Sequence, residues 1–112
     1  MKMTELVTTI EANGKGVRAF GECGRQARDR IAENPDQAAA YFLLAVAADR
    51  FVDTYDDQPL LAPRADDEFL IFKNYVEQFE KARESGSDDA MLKALNDVSR
   101  QIAEHRLHRT EV

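Results

Sequence analysis

The chain has 112 residues, of which 44% are hydrophobic and 32% are charged, and its net charge at pH 7 is −6. This length fits one domain with one core, and the composition argues against a disordered chain. The negative charge argues against a nucleic-acid-binding protein, because phosphate binding needs clustered Lys and Arg. We therefore expect a single domain over residues 1–112.

The start of the chain and its cysteine content bear on the compartment. Residues 1–10 lack the apolar run and small-residue cleavage site of a signal peptide. The single cysteine, Cys23, cannot form an internal disulfide, which fits a reducing compartment. We expect a cytoplasmic protein with Cys23 as a packed thiol, the alternatives being a redox switch or an intermolecular disulfide.

The first predicted helix covers residues 3–33. Its stripe has heptad spacing and consists of Met3, Leu6, Ile10, Asn13, Val17, Phe20, Gly24, Ala27 and Ile31. A register kept through residues 13–16 favours one long helix. The competing interpretation is two helices with a break there, because Asn-Gly is a turn signal. A continuous helix would span about 40 Å and overhang its neighbours, and this motivates a homodimer hypothesis.

The central helix is predicted over residues 36–57. It contains eleven consecutive apolar residues, Ala38–Ala48, and a stripe with helical spacing: Tyr41, Leu44, Ala48, Phe51 and Tyr55. A bilayer-spanning helix needs about 20 apolar residues, so this run predicts burial among neighbouring helices and no membrane association. The preceding Pro35 is suited to a first helical turn.

Two more helices are predicted, over residues 65–84 and 88–108. Ser85-Gly86-Ser87 separates them, and Ser87 is predicted to be the N-cap of the last helix. Four amphipathic helices with short connectors predict an all-α fold, an antiparallel four-helix bundle with a long first helix.

Six carboxylates flank the connector between the second and third predicted helices: Asp53, Asp56, Asp57, Asp66, Asp67 and Glu68. They form either a solvated end of the bundle, a docking surface for a basic partner, or a weak cation site. The first three lie where a helix dipole disfavours anions, so compensating cations are expected from Arg50, Arg64, Arg25, Arg28 or Arg30. Within the connector, Leu60 and Leu61 either cap the core or anchor a partner.

The last predicted helix carries the two histidines. Glu104, His105 and His108 share spacings that a metal site could use, but bundle metal sites combine such groups from several helices. The simpler interpretation is that the histidines cap the C-terminus of this helix. Tyr41, Tyr55 and Tyr75 are expected to be core aromatics.

No catalytic triad, phosphate loop or diagnostic metal-ligand spacing occurs in the sequence. The function that fits best is a non-catalytic, acidic protein-interaction or regulatory domain, an adaptor or an immunity-type inhibitor of a basic partner. It is expected to use no cofactor. The alternative is a helical bundle that binds a metal or a small ligand.

Overall fold

The computed structural model describes residues 2–107, and these form five α-helices and no β-strand. The helices are α1 (Thr4–Ala12), α2 (Val17–Glu33), α3 (Ala38–Tyr55), α4 (Ala62–Ser85) and α5 (Asp88–Glu104). A short 3₁₀ turn, Pro35–Gln37, leads into α3. The helices pack as a bundle, with one helix more than the four predicted.

Helices α2 and α3 form an antiparallel hairpin with a very close approach at Gly24. A Cβ atom at Gly24 would lie 3.0 Å from the Asp49 Oδ1 atom and 3.4 Å from the Ala48 Cβ atom. Beside this point, the Arg28 guanidinium lies 2.7 Å from the Asp49 carboxylate. Glycine at this position therefore leaves room for the Asp49 carboxylate, which pairs with Arg28 across the surface of the two helices.

Helices α4 and α5 form a second antiparallel hairpin. The Ser87 side chain accepts a hydrogen bond from the Ala90 amide at 3.2 Å, which confirms the predicted N-cap. Gln78 of α4 donates to Gln101 of α5 at 2.8 Å. The core between the two hairpins is built on large, fully buried side chains, among them Phe20, Tyr41, Leu44, Val76, Phe79 and Val98.

The prediction of one continuous helix over residues 3–33 is wrong. The chain breaks between Ala12 and Val17, where Gly14 has φ 90° and Lys15 has φ 62°. Both values lie in the left-handed region, which interrupts a right-handed helix. The Lys15 ammonium then lies 3.4 Å from Asp66 and 4.7 Å from the centroid of the Phe69 ring, so the turn rests against the start of α4.

The break is favoured because it folds α1 back along α2 and α4. Met3, Leu6 and Ile10 are completely buried as a result. Burial of each such side chain contributes about 1.5–3 kcal/mol. A non-glycine residue in the left-handed region, here Lys15, costs only about 1–2 kcal/mol. The apolar stripe thus continues through the break in sequence but is buried by two separate helices.

Buried polar contacts hold the start of α1 in place. The Glu80 side chain of α4 accepts a hydrogen bond from the Met3 amide at 2.7 Å. Arg30 of α2 donates to the Lys2 carbonyl oxygen at 3.1 Å and to the Glu5 carboxylate at 3.0 Å. The long first helix whose overhang motivated the homodimer hypothesis is not formed, so that hypothesis loses its basis.

The other helix boundaries differ from the predictions by a few residues. Helix α3 ends at Tyr55 and not at residue 57. Helix α4 begins at Ala62, before the predicted residue 65, because Pro63 is accommodated in its first turn. Helix α5 ends at Glu104, earlier than the predicted residue 108. Within residues 2–107, no helix combines the length and the hydrophobicity needed to cross a bilayer.

Substitutions at two neighbouring glycines test the break. Gly14→Ala should lower the free energy of unfolding by about 1–2 kcal/mol, because alanine is strained at positive φ. Gly16→Ala is the matched control, since Gly16 has extended backbone and open space around it. Because Gly16 is the N-cap of α2, where glycine is preferred to alanine, Gly16→Ala should still cost less than about 1 kcal/mol, and less than Gly14→Ala, in urea denaturation followed by circular dichroism. A continuous helix would instead be stabilised by both substitutions, by roughly 1 kcal/mol each.

Candidate functional site

The end of α3, the connector and the start of α4 bring the predicted acidic residues to one end of the bundle. Five of the six carboxylates are exposed there: Asp53, Asp56, Asp57, Asp66 and Asp67. The sixth, Glu68, is only 5% exposed and faces the interior. We call the five exposed carboxylates the acidic end. They lie on two helices and a connector, so the carboxylates are spread over a surface.

Most of the acidic end has no ion-pair partner among residues 2–107. Asp66 lies 3.4 Å from the Lys15 ammonium, and the side chains of Lys15 and Asp66 are 34% and 59% exposed. Such an exposed pair contributes at most about 1 kcal/mol. The other four carboxylates make no ion pair with any described residue. Because Asp56 and Asp57 follow the C-terminus of α3, the helix dipole disfavours their charge as well.

The arginines expected to compensate these charges are mostly engaged elsewhere. Arg50 donates to main-chain carbonyls at the end of α5. Arg28 pairs with Asp49. Arg25 and Arg30 pair with carboxylates of α2 and α1. Arg64 is exposed and makes no ion pair with a described residue. The acidic end therefore keeps an excess of negative charge.

The two leucines of the connector have different environments. Leu60 is partly buried and packs against the core, as expected of a residue that caps it. Leu61 is 73% exposed and lies between the acidic residues of α3 and those of α4. The side chain of Leu61 is therefore accessible from solvent, whereas the side chain of Leu60 packs in the fold.

A buried polar pair lies beneath the acidic end. Glu68 Oε2 of α4 is 2.8 Å from His105 Nε2, and the side chains are 6% and 24% exposed. The two atoms form a hydrogen bond in which the histidine nitrogen donates to the carboxylate. Glu68 is therefore part of the interior of the bundle and does not belong to the acidic end.

The sequence did contain a signal for this pair. Glu68 falls on the apolar stripe of α4 at helical spacing, in the series Ala65, Glu68, Phe72, Tyr75 and Phe79. His105 continues the stripe of α5 in the same way, after Ile102. Two titratable residues on facing apolar stripes need a polar partner when buried, and Glu68 and His105 can supply it to each other.

Arg50 lies beside Glu68 and His105, and we call these three residues the polar cluster. Its guanidinium donates to the carbonyl oxygens of Ile102 and, at 3.2 Å, His105. These carbonyls lie at the C-terminal end of α5, where main-chain acceptors lack helical partners. Burial, and secondarily the charge of Glu68, raise the pKa of the Tyr75 hydroxyl, while Arg50 partly opposes this shift. Tyr75 therefore stays protonated and neutral at physiological pH.

The residues proposed for a metal site are not brought together. Glu104 is exposed and interacts with Arg100 at 3.4 Å, and His105 binds Glu68. His108 lies outside the described residues. Within residues 2–107, no group of three or more His, Cys, Asp or Glu side chains is arranged to hold a metal ion.

The remaining candidates from the sequence belong to the core. Tyr41, Tyr55 and Tyr75 are all buried, as predicted. Cys23 is completely buried, and burial raises the pKa of its thiol to about 12, with a smaller opposing effect of the Arg30 charge. A thiol in this environment is protonated and unreactive.

The chain was compared with protein-family models, with curated proteins and with solved structures. None of these three comparisons finds a match. No residue role is therefore transferred from another protein.

The different environments of Glu68 and Glu104 predict different effects on stability. Glu68→Ala should lower the free energy of unfolding by about 1–3 kcal/mol, because it removes a buried hydrogen bond and leaves His105 without its partner. Glu104→Ala, which removes an exposed pair with Arg100, should change it by less than about 0.5 kcal/mol. Urea denaturation measures both. Equal costs would contradict the assignment of Glu68 to the interior.

Cys23 should resist labelling until the protein unfolds. At about pH 8 a thiol-specific disulfide reagent should react fast only after denaturation, because the folded thiol is buried and protonated.

Since folding raises the pKa of Cys23 from 9.0 to about 12, its contribution to stability is complete below pH 9 and is lost as the pH rises towards 12. Cys23→Ala should show a shallower loss of stability in that range. Equal labelling rates with and without denaturant would count against a packed thiol.

Proposed function

We propose that this protein is a non-catalytic interaction domain that binds a basic protein partner through the acidic end. It would act as an adaptor or as an immunity-type inhibitor that covers a positively charged surface. The observation that carries this proposal is the unbalanced charge of the acidic end, where Asp53, Asp56, Asp57 and Asp67 make no ion pair with a described residue.

The charge of the acidic end lowers the stability of the isolated domain, and a basic partner would offset that cost. Like charges gathered at one end of the domain, two of them at the unfavourable end of a helix dipole, lower the stability of the isolated domain slightly. Arg28 and Arg50 are engaged elsewhere, so Lys15 and Arg64 are the cations left to offset this charge, and they are fewer than the five carboxylates. A partner rich in Lys and Arg would relieve it, and the complementary potentials would accelerate association.

Leu61 supplies the apolar element that a protein interface needs. Its side chain is 73% exposed within the acidic end. Energetically important interface residues are usually apolar or aromatic groups surrounded by polar residues that exclude water. A basic surface with an apolar pocket among its cations matches this arrangement. The interaction is expected to weaken as salt concentration rises, because exposed charges are screened.

The test is a charge reversal with a matched control at the opposite end of the bundle. The triple variant Asp53→Lys, Asp56→Lys and Asp57→Lys should abolish capture of a Lys- and Arg-rich partner from the cell extract. The control has the same change in charge at exposed positions elsewhere and consists of Glu33→Lys, Asp36→Lys and Glu84→Lys. It should capture the partner as the wild type does.

A third variant separates charge from the apolar contact. Leu61→Ala should weaken binding by about tenfold or more, mainly through faster dissociation, if Leu61 is an energetically important residue. Circular dichroism should show that all variants remain folded. Unchanged capture by the first triple variant, or an equal loss in both triple variants, would remove the acidic end from the interaction.

A further inference from the structure

A small apolar cavity lies where α2, α3, α4 and α5 meet. Its volume is about 20 Å³, which is room for about one water molecule. The Phe20 ring stacks on the Phe51 ring with centroids 3.8 Å apart, and it meets the Phe72 ring edge-on at 5.7 Å. Ile71 and Ile102 also line the cavity. Packed aromatic and aliphatic side chains thus form most of its wall.

Residues 105–107, a segment that we call the strap, follow α5 and contribute two of the residues that line the cavity. Helix α5 ends at Glu104, and His105 has extended backbone, with φ −69° and ψ 123°. The side chains of His105 and Leu107 line the cavity, and Leu107 is partly buried against the core. A short extended segment at a helix end opens at a lower cost than a packed helix does.

Two polar residues fasten the strap, one from each neighbouring helix. Glu68 of α4 binds the His105 ring at 2.8 Å. Arg50 of α3 donates to the carbonyl oxygens of Ile102 and His105. Leu107 supplies the apolar contact. The strap is therefore held by a small number of separable contacts.

We infer that the strap is a movable cover, and that its opening admits a small neutral aromatic or alicyclic molecule bearing a carbonyl oxygen. When the strap leaves, the volume of the His105 and Leu107 side chains joins the cavity. The ligand's rings then pack against Phe51 and Phe72, which removes apolar surface from water.

The polar residues at the rim define the ligand more closely. Arg50 loses a main-chain acceptor when the strap opens, and a ligand carbonyl replaces it, so that the guanidinium keeps its hydrogen bonds. The Glu68 carboxylate lies beside the same opening and repels an anion. A neutral molecule with an accepting oxygen satisfies both residues. This inference concerns the interior of the bundle and does not depend on the acidic end.

Loosening the strap should strengthen binding of a neutral probe. The probe is the naphthalene ketone PRODAN, whose emission shifts to the blue in apolar surroundings. Leu107→Ala removes the apolar contact of the strap and should tighten PRODAN binding by about fivefold or more, because apparent affinity rises with the fraction of open molecules. His105→Ala, which removes the contact with Glu68, is a second variant with the same expected direction.

Two further variants show where the probe binds. Ala47 lines the cavity, so Ala47→Leu introduced together with Leu107→Ala should abolish the gain by filling the space. Leu92 is 57% exposed on α5 outside the cavity, and Leu92→Ala should bind PRODAN as the wild type does. Binding to the folded state should also raise the melting temperature of Leu107→Ala, whereas binding to a loosened or unfolded state would lower it.

The inference fails if both strap variants, folded by circular dichroism, bind PRODAN no tighter than the wild type. It also fails if Ala47→Leu leaves the gain intact, since the probe would then bind outside the cavity. A melting temperature that falls with added probe has the same consequence.

Discussion

The packing of α2 against α3 is the contact on which the rest of the bundle depends. At Gly24 a Cβ atom would lie 3.4 Å from the Ala48 Cβ atom, an ordinary contact distance, and 3.0 Å from the Asp49 Oδ1 atom, the end of a half-exposed side chain that would have to shift slightly. The packing of the two helices aligns Phe20 of α2 with Phe51 of α3, and their stacked rings provide the surface against which Phe72 of α4 packs. The position of the second hairpin follows from this aromatic junction.

The second hairpin in turn places the polar cluster. Glu68 on α4 meets His105 at the end of α5, and Arg50 of α3 donates to the last carbonyls of α5. Three helices are thus joined at one point by a few charge-assisted hydrogen bonds, which are stronger than neutral ones in a partly buried site. The same point separates the interior of the bundle from the acidic end, so one buried carboxylate and five exposed ones lie close in the chain but differ in role.

The proposed partner-binding surface and the proposed ligand cavity therefore lie in different parts of the molecule, one at its surface and one in its interior. The proposal for a basic macromolecule rests on exposed charges, since four of the five carboxylates of the acidic end make no ion pair with a described residue and are spread over two helices and their connector. The cavity beneath the strap is suited to a small apolar molecule, because aromatic rings form its wall and only Arg50 and Glu68 bring charge to its rim. The surface needs no movement of the protein, whereas the cavity needs the strap to open.

The residues alone predict the all-helical class, the N-cap at Ser87, the burial of the three tyrosines and the placement of the acidic end's five carboxylates at one end of the bundle. These features depend on helical periodicity and on hydrogen bonds between residues that are close in the chain. The sequence did not predict the break at Gly14 and Lys15, because the heptad register continues across residues 13–16. The break is favoured only in the folded bundle, where helix α1 folds back and buries Met3, Leu6 and Ile10. Nor did the sequence pair Glu68 with His105, although both fall on apolar stripes, because only the packing of α4 against α5 brings residues 37 positions apart within 2.8 Å.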